Sequence, residues 1–151
     1  MTLTLPAPPS VRYVDWYKGV RKQTHQTPPD LFAKLHAEFA FTMDGAAERH
    51  NRLLKHASTW AKPLPWAGER VFCNPPWSGI GPFVELAATA EFACLLVPAR
   101  TNCRWFHRAI ALGATVRFFL GKPKFVGNKS TSPVNCVLLL FGNAEPREVA
   151  V

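Results

Sequence analysis

A short motif in the middle of the chain combines residue types that can hold a planar amine. Asn74 supplies a side-chain carbonyl that accepts hydrogen bonds, and Pro75 supplies a backbone carbonyl without an N–H group. Pro76 makes the turn rigid, and Trp77 presents a flat apolar face about the size of a base. Two acceptors beside a stacking surface suit an exocyclic amino group on a planar ring, such as N6 of adenine.

The same motif indicates how such an amine could react. An N6 amine is a poor nucleophile because its lone pair is delocalised into the ring. When Asn74 and the Pro75 carbonyl accept its two hydrogens, the nitrogen becomes pyramidal and its lone pair points at an electrophile. Fixed dipoles of this kind stabilise the product-like state, in which positive charge grows on nitrogen. A methyl sulfonium in line with the lone pair would complete the reaction without a metal or a covalent intermediate.

The elements around the motif predict an α/β fold with an open, mostly parallel sheet. Apolar runs predict strands over 39–43, 69–73, 93–98, 115–120 and 135–141. Helical spacing predicts helices over 28–39, 46–58, 79–90 and 101–113, the last with an N-cap at Thr101 or Asn102. Strands that alternate with helices favour a sheet flanked by helices.

Several polar or turn-forming residues follow directly after these predicted strands. They are Asp44, Asn74, Pro98 and Gly121. In open α/β sheets, ligands bind beyond the carboxyl ends of the strands. The pattern therefore predicts a ligand site at this edge of the sheet, with the Asn74 motif in it.

The distribution of charge predicts a polyanionic partner. The chain has 151 residues and a formal net charge of +8. No Asp or Glu occurs between residues 92 and 144, and this stretch contains Arg100, Arg104, Arg108, Arg117, Lys122, Lys124 and Lys129. One-sided positive charge over such a length favours nucleic acid as the partner.

The length of the chain predicts one domain, over residues 16–151, preceded by a flexible, proline-rich arm over 1–15. No apolar run reaches the roughly 18–20 residues of a membrane span, and the N-terminus lacks the basic leader of a secretory signal. The four cysteines form no C-x-x-C pair, and the five histidines show no ligand spacing, so no metal is predicted. Reduced cysteines in the core indicate a cytoplasmic protein.

The motif in its context resembles the catalytic motif of amino-methyltransferases that use S-adenosylmethionine, in which N-P-P-aromatic follows a strand. The wider sequence is similar to the phage-type DNA N6-adenine methyltransferases, a family of short single-domain enzymes. The likeness covers roughly Trp16 to Phe141. Its matching segments are "TPPDLFAKL", "FTMDGAA" with Asn51 behind it, "VFCNPPWSGIGPFVELA", "LLVPARTNCRWFH", "FFLGKPKF" and "SPVNCVLLLFG".

This resemblance implies a compact Rossmann-like methyltransferase sheet of about five strands, with the last strand antiparallel. It implies S-adenosylmethionine as the cofactor and N6 of adenine in DNA as the methyl acceptor. The implied catalytic residues are Asn74, Pro75, Pro76 and Trp77. The implied cofactor contacts are Thr27, Pro28, Asp44, Gly45 and Asn74, with the Asp44 carboxylate on the ribose hydroxyls. The implied DNA contacts are Ser78, Arg100, Lys122, Lys124 and Lys129.

The chain also departs from the family pattern. Trp77 stands where Tyr is more usual, Asn102-Cys103 stands where an acidic residue and a Thr are expected, and Lys122 replaces an Arg. No G-x-G loop precedes Asp44, so the cofactor grip is either missing or rebuilt from Thr27-Pro28 and Asp44-Gly45.

The sequence leaves alternatives for the acceptor open. They are N4 of cytosine, adenine in RNA, a protein glutamine amide, or no turnover at all, in a nucleic-acid-binding module that keeps the fold. The basic stretch disfavours a protein substrate, and Asn rather than Ser before the prolines favours adenine. The leading expectation is an enzyme that acts on double-stranded DNA with the target adenine flipped out, as a monomer or homodimer. The resemblance implies phage or prophage origin and a bacterial cytoplasm.

Overall fold

The computed structural model describes residues 26–47, 51–59, 64–125 and 134–145. The predicted arm over 1–15 lies outside these residues. The helices are α1 (Pro29–Phe39), α2 (Gly81–Thr89) and α3 (Arg104–Ala111). The strands are β1 (Met43–Asp44), β2 (Arg70–Cys73), β3 (Phe92–Pro98), β4 (Thr115–Phe118) and β5 (Cys136–Gly142). No helix in the described ranges is long and apolar enough to cross a membrane.

The strands form one five-stranded sheet in the order β1-β2-β3-β5-β4. β1, β2 and β3 pair in parallel, and β5 is antiparallel to both of its neighbours. β4 therefore runs in the same direction as β3, and β1 to β4 all end at one edge, which we call the carboxyl edge. The predicted Rossmann-like sheet, mostly parallel with an antiparallel last strand, is confirmed.

Helices cover both faces of the sheet. Alternate residues of β3 belong to two apolar clusters: Ala93, Leu95 and Val97 pack with α2 and α3, whereas Phe92, Cys94 and Leu96 pack with α1. Because both faces are covered, β3 has the continuous apolar sequence of a buried strand. Burial also raises the pKa of the Cys73 and Cys94 thiols, which are free.

Helix α1 forms where the sequence predicts it and runs antiparallel to the strands. Pro29 lies in its first turn, Asp30 faces the positive end of the helix dipole, and Phe32, Leu35 and Phe39 are buried. The helix ends at Ala40, which has a left-handed φ of 51°. This direction brings the start of α1 to the carboxyl edge, beside the end of β2.

The predicted helix over 46–58 is wrong in its described part. Residues 51–59 contain no helix, and Ala57 forms a parallel bridge with Asp44. The N–H of Asp44 donates to the His56 carbonyl at 3.0 Å, and the N–H of Ser58 donates to the Asp44 carbonyl at 2.8 Å. The segment bends over 53–56 and brings Ala57 to the outer edge of β1, whose backbone groups need partners. Residues 48–50 of the predicted helix lie outside the description.

Several element boundaries also differ from the prediction, most clearly at β1 and at the start of α3. The strand predicted over 39–43 begins only at Met43, because Phe39 belongs to α1 and Ala40 ends that helix. The N-cap of α3 is Cys103, not Thr101 or Asn102, and it makes no side-chain capping bond. A local sequence pattern places an element better than it places its ends.

Arg70, the first residue of β2, ties the opposite edge of the sheet together. Its side chain is buried and donates to the backbone carbonyls of Phe39 at 2.8 Å, Asn143 at 2.9 Å and Ala144 at 3.2 Å. Its guanidinium also lies 4.9 Å from the centre of the Phe92 ring. Arg70 therefore joins the end of α1 to the chain after β5, far from the carboxyl edge.

Candidate active site

Strand β2 delivers Asn74 to the carboxyl edge. Asn74 is only 8% exposed, and Pro75 and Pro76 are buried. The N–H of Gly79 donates to the Pro76 carbonyl at 2.9 Å, which closes the turn that carries Trp77. The motif is thus a rigid turn that begins from a buried strand, as the two prolines predict.

The side chain of Asn74 meets Thr27, which lies just before α1. The Nδ2 group of Asn74 donates to Oγ1 of Thr27 at 3.1 Å, and Thr27 is itself only 8% exposed. This bond uses Nδ2, so Thr27 does not consume Oδ1, the acceptor that the amine chemistry needs. Thr27, predicted as a cofactor contact, is therefore also in position to orient the amide of Asn74.

The ring of Trp77 is supported from the side by Phe125. Trp77 is half-buried and contacts both apolar clusters of the fold. The centres of the Trp77 and Phe125 rings are 5.6 Å apart and their planes meet at 81°, an edge-to-face contact. Phe125, which is buried, lies in the segment that follows β4. The sequence analysis gave Phe125 no role, although it closes the segment "FFLGKPKF".

Asp44 lies at the end of β1, on the strand next to Asn74. The residue is 3% exposed; Oδ1 accepts the N–H of Ala46 at 3.3 Å and Oδ2 accepts the N–H of Leu53 at 3.0 Å. Burial raises the pKa of Asp44, and these two bonds oppose the rise. The Asp44 carboxylate thus fixes the backbone of the segment that follows β1, and each of its oxygens can accept a further hydrogen bond.

Gly45 has a packing role that the sequence did not reveal. Its N–H donates to the Phe72 carbonyl at 2.8 Å. A side chain at this position would begin 2.5 Å from Cζ2 of Trp66 and 2.8 Å from Cγ1 of Val71, so only glycine fits. The buried Trp66 ring fills the space that a residue 45 side chain would take.

Four of the five predicted DNA contacts lie in the described residues, near the carboxyl ends of β2, β3 and β4. Lys122 and Lys124 are exposed and line a cavity of about 550 Å³ that also touches Pro28, the residue after Thr27. Ser78 is exposed beside Trp77, at a second cleft of about 490 Å³. Arg100 is exposed just after β3, and Lys129 lies outside the described residues.

Two other basic residues of the acid-free stretch are neutralised by acids from elsewhere in the chain. Nε of Arg108 donates to Glu85 at 2.7 Å, which joins α3 to α2. Arg117 of β4 donates to both carboxylate oxygens of Glu38 of α1 at 2.7 and 2.8 Å, and this bond lowers the pKa of Glu38. Of the other basic residues that the structure describes in this stretch, Arg100, Arg104, Lys122 and Lys124 are exposed, and all four follow the carboxyl end of β3 or β4.

Comparison with known proteins identifies the family of this chain. The family model described as DNA N-6-adenine-methyltransferase (Dam) matches residues 17–144, which include every element of the fold. No curated protein matches the chain. The match confirms the resemblance and the predicted activity, and it carries the requirement for a methyl donor with it. The chain belongs to the DNA N-6-adenine-methyltransferase (Dam) family and transfers a methyl group to N6 of adenine in DNA.

Proposed function

We propose that Asn74 and Pro75 bind the N6 amine of an adenine flipped out of double-stranded DNA, and that the methyl donor is S-adenosylmethionine. The observation that carries this proposal is the placement of Asn74. It is buried at the carboxyl edge, on a turn stiffened by two prolines, with its amide held by Thr27.

The two acceptors do most of their work in the transition state. Oδ1 of Asn74 and the Pro75 carbonyl accept the two N6 hydrogens, which directs the nitrogen lone pair away from the ring. As positive charge grows on N6, its N–H groups become stronger hydrogen-bond donors. The two acceptors therefore bind the amine more tightly in the transition state than in the ground state. Burial of Asn74 strengthens this effect because little water screens the dipoles.

The residues at the ends of β1 and β2 fit S-adenosylmethionine. When bound, this cofactor supplies a methyl group on a positively charged sulfur. The Asp44 carboxylate is a buried acceptor, and hydroxyl donors such as those of a ribose would stabilise its charged form against the burial that raises its pKa. Pro28 and Thr27 border the same edge, whereas Gly45 offers its backbone only, because Trp66 fills the space beside it.

Trp77 and the basic residues suit a flipped base and its flanking backbone. N6 is paired and stacked in a duplex, so the adenine must leave the stack, at a cost of a few kcal/mol. Stacking on Trp77 returns about 1–3 kcal/mol. Phe125 holds the Trp77 ring, so little side-chain entropy is lost when a base binds. Arg100, Lys122, Lys124 and Lys129, with Ser78, are the proposed contacts to the DNA backbone.

The test combines labelled S-adenosylmethionine with nucleoside analysis of the DNA product. Asn74→Ala is expected to lower methyl transfer by about 100-fold or more, as loss of one preorganised catalytic dipole does. Calorimetry is expected to show cofactor binding retained by this variant. Asn102→Ala, which alters an exposed asparagine before α3, serves as the matched control and is expected to transfer methyl groups normally.

Three results would contradict parts of this proposal. Full methyl transfer by Asn74→Ala would refute the role of the amide. N4-methylcytosine in the digest would replace adenine as the acceptor. Binding of DNA by the wild-type protein without binding of S-adenosylmethionine would favour another methyl donor or a non-catalytic module.

A further inference from the structure

The chain presents a large apolar side chain to solvent where β4 leads into its loop. Leu120 is fully exposed, and Phe118, the last residue of β4, is 77% exposed. By contrast, Phe125, five residues after Leu120 in the same segment, is buried against Trp77. Burying an exposed leucine gives a favourable free energy, so a tip of this kind is suited to entering a partner.

The position of Leu120 places it beside the proposed site. β4 runs in the same direction as β2 and lies three strands from it, about 14 Å across the sheet at the usual strand spacing. The register pairs Phe118 with Val137, which pairs with Val97 near the end of β3, so Leu120 projects past the carboxyl edge. This separation is similar to the ~12 Å width of the DNA major groove.

Two contacts connect the loop to the catalytic motif. Leu120 lines the 550 Å³ cavity together with Pro28, and the preceding Thr27 accepts the hydrogen bond from Asn74. Five residues after Leu120, Phe125 packs against Trp77; a chain of that length spans at most about 18 Å. Leu120 therefore lies within about 18 Å along the chain of the residue that supports the Trp77 ring.

The charges beside Leu120 identify the partner that it fits. Lys122 and Lys124 are exposed in the same loop and line the same cavity. An apolar side chain flanked by cations matches duplex DNA, where apolar base faces lie between rows of phosphates. A purely apolar partner would leave the two ammonium groups without anions.

We propose that Leu120 is the wedge that enters the base stack when the target adenine flips out, while Lys122 and Lys124 bind the adjacent phosphates. This inference rests on the proposed function, because it supposes a flipped adenine at Asn74 and Trp77. Leu120 is a positioning residue: it fills the gap left by the base and lowers the cost of the extrahelical state. Proteins that insert Leu, Ile, Phe or Met between base steps use the same physics.

The test compares wild type, Leu120→Ala, Leu120→Phe and Phe118→Ala on two synthetic duplexes that carry the sequence the wild-type protein methylates. In one duplex the target adenine faces thymine; in the other it faces an abasic site, so no base pair holds it. Leu120→Ala is expected to be roughly tenfold or more slower on the paired duplex and close to wild type on the abasic duplex. Leu120→Phe keeps an apolar wedge and is expected to retain activity on both duplexes.

Phe118→Ala is the matched control, because it removes an exposed apolar side chain that lies within the strand, behind the edge. It is expected to leave both rates unchanged. Leu120→Ala is expected to keep the salt dependence of DNA binding, whereas Lys122→Gln is expected to reduce the salt slope by about one.

Equal rates of Leu120→Ala and wild type on the paired duplex would overturn the wedge, and so would an equal loss on both duplexes. If Leu120→Ala and Phe118→Ala both lost activity and changed the sedimentation of the protein, the surface would be a contact between copies of the chain. If the wild-type protein methylated adenine in no DNA, so that no such sequence existed, the proposed function itself would be overturned, which separates the two failures.

Discussion

Replacing Thr27 by valine tests whether this residue orients the Asn74 amide for the proposed catalysis. Oγ1 of Thr27 accepts the hydrogen bond from Nδ2 of Asn74 at 3.1 Å, and both residues are 8% exposed. Valine keeps the shape of the side chain but offers no acceptor. Loss of an acceptor from a buried donor costs about 1–3 kcal/mol. If that energy holds Asn74 in its reactive orientation, kcat falls by about 10- to 100-fold.

The assay is steady-state methylation of DNA, with kcat and the KM of S-adenosylmethionine measured separately. We expect Thr27→Val to lower kcat and to leave the cofactor KM nearly unchanged, because the hydroxyl is used on Asn74. Thr27→Ser keeps the hydroxyl and is expected to stay close to wild type in both constants. Urea denaturation of each variant shows how much protein is folded at the assay temperature.

The opposite division of the two constants would refute this reasoning. If Thr27→Val kept the wild-type kcat and raised the cofactor KM, Thr27 would be a cofactor contact, as the sequence predicts. Its hydrogen bond with Asn74 would then contribute nothing to catalysis.

Two further predictions concern Asp44 and Arg70. Burial raises the pKa of Asp44 above its ordinary value of 3.8, and ribose hydroxyls need the ionised carboxylate. Cofactor affinity measured by calorimetry should therefore fall as the pH is lowered through a window above that value. The Asp44→Asn variant should not show this fall. The same fall in both proteins would contradict the assignment of Asp44 as the acceptor for the ribose hydroxyls. Arg70→Met removes three hydrogen bonds from a buried cation to backbone carbonyls and should lower the free energy of unfolding by about 3 kcal/mol or more. Since Arg70 lies at the edge opposite Asn74, kcat per folded molecule should not change. If urea denaturation showed that Arg70→Met lowers the free energy of unfolding by less than about 1 kcal/mol, the stabilising role of these hydrogen bonds would be refuted.

Much of the fold could be predicted because its signals are local. The buried run at β3 and the helical spacing in α1 and α2 each correspond to an observed element. The helix predicted over 46–58 is wrong in its described part, because backbone pairing with a segment outside it replaces the helical hydrogen bonds. There the chain pairs with the backbone of Asp44, on the edge strand β1.

The sequence also could not show which basic residues of the stretch over 92–144 are paired with acids in the fold. From the sequence, Arg108 and Arg117 count toward a surface that binds DNA. The fold instead places each against a glutamate of a helix elsewhere in the chain, Glu85 for Arg108 and Glu38 for Arg117. Such pairs between distant segments depend on how helices pack on the sheet, which no local pattern encodes.

The sequence by itself determined the chemistry of the motif and the edge at which it lies. Asn, two prolines and Trp after a buried strand define acceptors, rigidity and a stacking face without reference to the rest of the chain. Only the tertiary structure decided what holds these groups: Thr27 on the Asn74 amide, Phe125 on the Trp77 ring and Trp66 over Gly45. The first two partners lie more than 45 positions from their targets, and each of these contacts exists because elements pack against one sheet. The hydrogen-bonding and stacking groups of the motif follow from residue type and spacing, whereas the orientation of these side chains follows from how distant segments pack.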